Sequence, residues 1–350
     1  MVAVHSKDFI YSKGIEMMDK SIRMVCVKLT YKCNLNCFMC GQRKMQYEKR
    51  CQEIDLENIK KVIEECGDLR YGVYLWGGEP LVYSQFGELL SYLYDNRIFT
   101  TINTNGVNLN KFTELMASYE GFSKIIVSID GIGETHDRIR GISGTFNRIS
   151  NNLAKLNSMR KKNLMIASNT VVTSENYGSL FEIINGISEL GVDTMECQLP
   201  MFFSDLCGAN YENVLMSEFG MQADTWSGFR GDYSNIEIPI LLSELKKIQQ
   251  KFGRRFRLVP NLSETDLQSY FTTPDDNLKT HKCSLPFSQV SIEPNGDVVI
   301  CPDFPDYIVG NIYDESINSI WQNERINQFR KYIMKNNLSL CSRCCNFYQF

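Results

Sequence analysis

The sequence predicts an α/β fold: a partial (β/α)6 TIM-like barrel followed by a small C-terminal domain made of a β-hairpin plus a helix. Three observations carry this reading. Short apolar, β-branched runs recur along residues 24–199, and most are followed promptly by a segment with helical apolar spacing, the pattern of right-handed βαβ crossovers in a parallel sheet. Further on, Pro294-Asn295-Gly296 joins two more short strands, and Asn-Gly is a strong hairpin signal. An apolar-periodic helix then spans about 316–336.

The run 24–29 reads as a buried first strand. A helix over 55–66 follows, with Leu56, Ile59, Val62 and Ile63 on one face, Asp55 as its N-cap and Gly67 as its stop. The second strand, 72–76, breaks into Gly77-Gly78-Glu79-Pro80, and a helix from about Ser84 presents Phe86, Leu89, Leu90 and Leu93 to the core. The alternation continues as strand 98–103, helix 111–119, strand 124–129, helix 146–159, strand 164–172, helix 177–190 and strand 193–199. The sixth helix is delayed to about 238–252, behind a polar, Gly-containing stretch over 203–233. Such a sheet cannot close an eight-stranded barrel, so it is expected to be curved and open, with functional loops at the C-terminal strand ends. A doubly wound nucleotide-binding sheet would place G-x-G-x-x-G after the first strand, where this chain has cysteines. The expected domains are an N-terminal extension (1–23), the partial barrel (24–255) and the C-terminal domain (256–350).

Composition narrows the function. The 350 residues are 43% hydrophobic and 22% charged, with net charge −4, which gives no basic footprint for nucleic acid. The apolar runs are strand-sized, so no membrane span is expected, and residues 1–23 lack the apolar core of a secretory signal. A cytoplasmic location follows, where 13 cysteines read as metal ligands before disulfides. Only 3 histidines leave little for His-based chemistry.

Cys33, Cys37 and Cys40 sit on the polar loop leaving the first strand. Three thiolates converging there suit an iron–sulfur cubane that keeps one iron open, and an open position marks a reactive metal site. Core packing suits a single cysteine better than three on a polar loop. Structural zinc needs a fourth ligand, and Cys51 has no paired Cys or His beside it. A late group holds Cys283, Cys301, Cys341, Cys344 and Cys345, while Cys26 and Cys66 read as packing residues.

The Cys-x3-Cys-x2-Cys loop, in this βα context, resembles the radical S-adenosylmethionine (radical SAM) superfamily. The resemblance extends to Gly77-Gly78-Glu79-Pro80, similar to the family's GGEP motif, and to Ser128-Ile129-Asp130-Gly131 with His136-Asp137-Arg138-Ile139-Arg140-Gly141, similar to its S-x-D-G…H-D-x-x-R-G segment. It implies that Cys33, Cys37 and Cys40 hold a [4Fe–4S] cluster whose fourth iron chelates SAM. One electron from an external flavodoxin- or ferredoxin-like reductant would then cleave SAM to methionine and a 5′-deoxyadenosyl radical. The resemblance further implies that Gly77, Gly78, Glu79 and Pro80 contact the SAM amine. Ser128 and Asp130, on one face of their strand by alternation, would bond the ribose and methionine portions. Arg140 would pair with the SAM carboxylate, and Asn169 on the next strand is a further contact. The plainer alternative makes Asp130 a turn former and Arg140 a surface ion-pair residue. Met39 stands where the family usually has an aromatic residue backing onto adenine, and a thioether can still pack on a ring face.

The late group resembles the twitch domain, a shortened SPASM domain, and implies an auxiliary [4Fe–4S] cluster on Cys283, Cys301, Cys341 and Cys344. Cys345 can replace Cys344, although a Cys-x2-Cys bite favours Cys341 with Cys344; zinc on the same four cysteines is the alternative. Two [4Fe–4S] clusters and SAM imply an oxidoreductase that abstracts a substrate hydrogen and passes an electron to the auxiliary cluster. The twitch spacing is similar to that of aminocyclitol dehydrogenases, so a small-molecule alcohol or sugar-type substrate is expected. The alternative is a peptide- or protein-modifying enzyme, as in sulfatase maturation or ribosomal-peptide crosslinking; the short stretch before the first strand disfavours the crosslinking version. No general base is identified: Glu196, Cys197 and Gln198 at the end of the sixth strand are possible site residues. Phe219, Trp226, Phe229 and Tyr233 either line a substrate cleft or pack as core.

Overall fold

The computed structural model describes residues 21–42, 51–231, 233–273, 275 and 283–345. The N-terminal extension expected over 1–23 lies outside the described residues except for its last three.

The βα alternation is present as expected. Strand β1 (Met24–Lys28) precedes the cysteine loop and α1 (Leu56–Cys66), whose N-cap Asp55 accepts from the Asn58 amide. Then follow β2 (Gly72–Trp76), α2 (Phe86–Asp95), β3 (Thr100–Thr104), α3 (Thr113–Ser118) and β4 (Ser123–Ser128). After α4 (Glu134–Arg140) and α5 (Thr145–Met159) come β5 (Leu164–Val171), α6 (Leu180–Glu189) and β6 (Thr194–Gln198). Strands β1 to β6 pair in sequence order, all parallel. Residues pointing outward, such as Val25, Leu75, Ile102, Ile125 and Ile166, are fully buried under the helices. The alternate residues point into the open barrel, and at the upper level Ser128 lies opposite Asn169, Asn169 opposite Glu196, and Glu196 opposite Arg257.

Four expectations need correction. The polar stretch 203–233 is more than a delay before the next helix: it contains α7 (Asp205–Phe219), capped by Ser204, whose side chain accepts from the Cys207 amide. Its buried face is Cys207, Gly208, Tyr211 and Leu215, too varied to show as an aliphatic stripe. After α8 (Ile238–Phe252), a seventh parallel strand, β7 (Phe256–Val259), pairs with β6, and α9 (Glu264–Thr272) follows. The hairpin β8 (Gln289–Ile292) and β9 (Asp297–Val299) gains a third strand, β10 (Ile308–Asn311). Because β8 pairs parallel with β1, the hairpin continues the barrel sheet, giving ten strands in the order β10-β9-β8-β1-β2-β3-β4-β5-β6-β7. Finally, the single helix expected over 316–336 is two, α10 (Ile317–Gln322) and α11 (Glu324–Lys335). They break at Asn323, whose side chain accepts from the Ile326 amide and so caps α11.

Candidate active site

The cysteine loop is held by the other two motif segments. Gly78 N donates to Thr30 O at 2.8 Å and Glu79 N to Lys32 O at 2.8 Å, while Asn36 N donates to Arg140 O at 3.0 Å. Glycine is required because the backbones touch: a Cβ on Gly78 would lie 2.2 Å from Lys32 O, and one on Gly141 2.5 Å from Asn36 O. Motifs far apart in sequence thus close on the loop carrying Cys33, Cys37 and Cys40. Cys33 is exposed, Cys37 buried and Cys40 intermediate. The thiols interact electrostatically, Cys37 and Cys40 both acting on Cys33.

Glu79 is 1% exposed and fully engaged. Its Oε1 accepts from Leu81 N at 3.0 Å and Thr104 Oγ1 at 2.5 Å, and its Oε2 accepts from Asn105 N at 2.7 Å. Burial pushes its pKa up to about 7 against these donors. The carboxylate braces the turn against the end of β3, and Pro80 opens the helical turn that follows. Asn105 Nδ2 then donates to Asn34 Oδ1 on the cysteine loop at 2.8 Å.

Asp130 and Arg140 form a buried pair instead of a surface one: Arg140 Nε lies 2.6 Å from Asp130 Oδ2. Asp130 Oδ1 accepts from Val171 N at 2.8 Å, and Arg140 Nη1 lies 3.8 Å from Cys37 Sγ. Burial raises the Cys37 thiol pKa, and the guanidinium opposes that rise. His136 Nδ1 accepts from the Asp130 amide at 3.2 Å, so this fully buried ring carries its proton on Nε2. Ser128 and Asn169 are cross-strand neighbours at the mouth of the barrel. Asn169 Nδ2 donates to Gln198 Oε1 at 2.9 Å, while its buried Oδ1 has no partner. Glu196 accepts from Arg257 Nε at 2.9 Å. Met39 sits half-buried on the cysteine loop, and Cys197, on the opposite side of its strand from Glu196, is fully buried.

The late cysteines gather at the neighbouring edge. Cys283 and Cys344 both act on the Cys301 and Cys341 thiols, whose pKa values burial drives well up, and Cys283 is pushed up to about 12. The adjoining Cys344, burial and the nearby Asp303 carboxylate together drive the Cys345 thiol well above its usual pKa. Among the described residues, no three His, Cys, Asp or Glu side chains converge on a single-ion position.

Several contacts escaped sequence reasoning because they join distant segments. The Phe229 ring packs against Gly41, next to Cys40, and meets Phe304, three residues after Cys301, edge-on at 5.3 Å. Phe203 meets the Phe304 ring at 5.4 Å. Trp226 packs against Gly208 and donates to Glu212 Oε1 at 2.6 Å, as part of the core under α7. Cys207 lies close enough to Cys341 to raise its pKa. No local pattern marks these residues.

A family model for the radical SAM superfamily matches residues 27–186, and one for the SPASM iron–sulfur cluster-binding domain matches residues 283–345. The chain belongs to the radical SAM superfamily. Among curated relatives, this radical SAM chain is 24% identical to the tungsten-containing aldehyde ferredoxin oxidoreductase cofactor-modifying protein of Pyrococcus furiosus, over 92% of its own length and 87% of that protein. It is 34% identical to mycofactocin maturase MftC of Mycolicibacterium smegmatis over 23% of this chain. Matches of this shorter kind span only 21% to 32% of the relatives' lengths. The fold is similar to that of Streptococcus suis SuiB bound to the precursor peptide SuiA, with TM-score 0.64 and 17% identity over 93% of this chain and 71% of that one.

The cofactors of this radical SAM enzyme are SAM and [4Fe–4S] clusters. The residues present fit them. A loop with three thiols, a guanidinium beside one sulfur and an unpartnered buried amide oxygen at Asn169 offers sulfur ligands and a free acceptor for a polar ligand. No described helix is long and apolar enough to cross a membrane.

Proposed function

We propose that the chain is a radical SAM oxidoreductase whose first cluster is held by Cys33, Cys37 and Cys40 and whose auxiliary cluster is held by Cys283, Cys301, Cys341 and Cys344. When bound, the first cluster and SAM supply a 5′-deoxyadenosyl radical that abstracts a hydrogen from the substrate. Arg140 holds a positive charge beside the Cys37 sulfur and favours its thiolate form. Asn169 Oδ1 and Ser128 would present acceptors to SAM hydroxyls, and Met39 would pack near the adenine. The Phe229, Phe304 and Phe203 rings pack together between the segments that carry the two cysteine groups.

The observation that supports this reading is an aromatic bridge between the segments that carry the two cysteine groups. Phe229 touches Gly41 beside the first group and Phe304 beside the second. A substrate between them has an electron acceptor at hand, which supports net oxidation. An external one-electron reductant primes the first centre, in a reducing cytoplasm.

Polar groups lining the mouth, including Ser128, Asn169, Gln198 and the Glu196–Arg257 pair, suit a small hydroxylated substrate. A second reading, a peptide or protein substrate, is favoured by the likeness to a maturase and to a peptide-bound structure. Anaerobic turnover with deuterated candidates of both classes, following label into 5′-deoxyadenosine by mass spectrometry, tests the reading. Replacing Cys301 is expected to spare SAM cleavage and abolish substrate oxidation; unchanged oxidation removes the acceptor role.

A further inference from the structure

The backbone ladder between β1 and β8 runs from Met24 opposite Gln289 to Val27 opposite Ile292 and stops there. At the next residue of each strand, side chains take over. Lys28 Nζ lies 2.6 Å from Glu293 Oε1 and donates to Oε2 at 2.8 Å. Tyr31 Oη donates to the same Oε2 at 2.7 Å, and the Lys28 ammonium lies 4.9 Å from the Trp76 ring centre. Lys28 is 1% exposed and Glu293 4%.

This node joins three of the segments that build the site. Lys28 ends the strand leading to Cys33, with Tyr31 between them, and Glu293 ends the strand leading through the hairpin to Cys301. Trp76 immediately precedes Gly77 and Gly78, which pack on Thr30 and Lys32. Desolvating an ion pair is expensive, and a well-packed apolar pair commonly holds two strands as well or better. What the charged pair adds is direction: bonds from two donors on the cysteine-loop side converge on one carboxylate and fix its place.

We propose that Lys28 and Glu293 are positioning residues whose buried ion pair, completed by the Tyr31 hydroxyl, fixes the Cys33–Cys37–Cys40 loop relative to the auxiliary cysteine hairpin. The inference rests on the two-cluster reading above and extends it to what sets the separation of the two centres.

The test uses the full chain reconstituted anaerobically with iron and sulfide, comparing wild type, K28M/E293M and Y31F. The readouts are the dipolar coupling between the two reduced clusters by pulsed EPR, iron per chain and Tm. The double substitution exchanges the ion pair for apolar volume and is expected to keep Tm and iron content. Y31F removes one hydroxyl and leaves Lys28 and Glu293 paired, so it folds even if the double variant does not. Positioning predicts a shifted and broadened intercluster distance in the double variant, and a smaller change of the same sign in Y31F. Wild-type distances in Y31F and in any folded double variant overturn the proposal and leave the pair a stabiliser only. A wild-type chain that takes up one cluster overturns the two-cluster reading itself, and the proposal with it.

Discussion

Arg140 and Asp130 meet at 2.6 Å in the interior, and the same guanidinium reaches to 3.8 Å from Cys37 Sγ. One side chain thereby joins the end of β4 to the cysteine loop. Arg140→Met leaves Asp130 a buried carboxylate without its cation, and removing one partner of such a pair costs about 3–5 kcal/mol. Thermal denaturation is expected to show that loss. Arg140→Lys keeps the charge but has one nitrogen where Arg140 uses two, so it folds and retains less iron at the first site. Wild-type iron retention by Arg140→Lys contradicts the coupling.

Gly78→Ala is expected to displace the cysteine loop. The added methyl falls 2.2 Å from Lys32 O, a backbone atom that cannot turn aside. Gly144→Ala is the control, since its left-handed residue has nothing within 4 Å of the new Cβ and pays only about 1 kcal/mol of backbone strain. Iron and sulfide analysis after reconstitution should show one cluster lost from Gly78→Ala and none from Gly144→Ala. Equal cluster content in the two variants would falsify the packing role of Gly78.

His136 gives a pH signature. Burial, with Arg140 adding repulsion, lowers its pKa from 6.5 to about 3. Between those values the unfolded chain binds a proton that the folded chain refuses. Stability is therefore full above about pH 6.5 and falls as pH drops toward 3, at up to about 1.4 kcal/mol per pH unit from this residue. Glu79, raised to about 7, contributes a slope of opposite sign over the same range, so the difference between variants is the readout: urea denaturation at pH 7.0, 6.0 and 5.5 should show wild type losing more stability on acidification than His136→Gln. Parallel slopes contradict a neutral, buried imidazole.

Asp306 clamps the inserted helix. Its carboxylate accepts from Tyr211 Oη at 2.9 Å, the Asp224 amide at 3.1 Å and the Thr225 amide at 3.2 Å, with the Thr225 hydroxyl as a fourth donor. Asp306→Ala strands these groups, at about 1–3 kcal/mol for each one left buried. Hydrogen exchange should accelerate across 205–230 and stay unchanged in α1. Uniform exchange throughout the chain argues against a local clamp.

Much of this was legible in the sequence. The βα alternation showed because α1, α2 and α6 each bury a single stripe of large apolar side chains, and the cysteine, glycine and Asp–Arg segments showed as motifs with the right order. Helix α7 stayed hidden because its buried face mixes Cys207, Gly208 and Tyr211, and β7 because Arg257 interrupts a four-residue strand. The roles of Glu79, Asp130 and Arg140 were harder. Sequence marks a residue as able to carry charge, but whether a carboxylate faces a ligand or spends its oxygens on Leu81, Thr104 and Asn105 is decided by neighbours brought in by the fold. Lys28 and Glu293 stand 265 residues apart, so their pairing leaves no local trace.

The most direct test of the central claim is 5′-deoxyadenosine formation from SAM under reducing, anaerobic conditions, by the reconstituted wild type and by Cys37→Ala. Wild type is predicted to release 5′-deoxyadenosine and methionine, and Cys37→Ala to release none. Equal release by both, or none from a wild type carrying its full iron and sulfide, would contradict the assignment of the first cysteine loop as the SAM-cleaving centre.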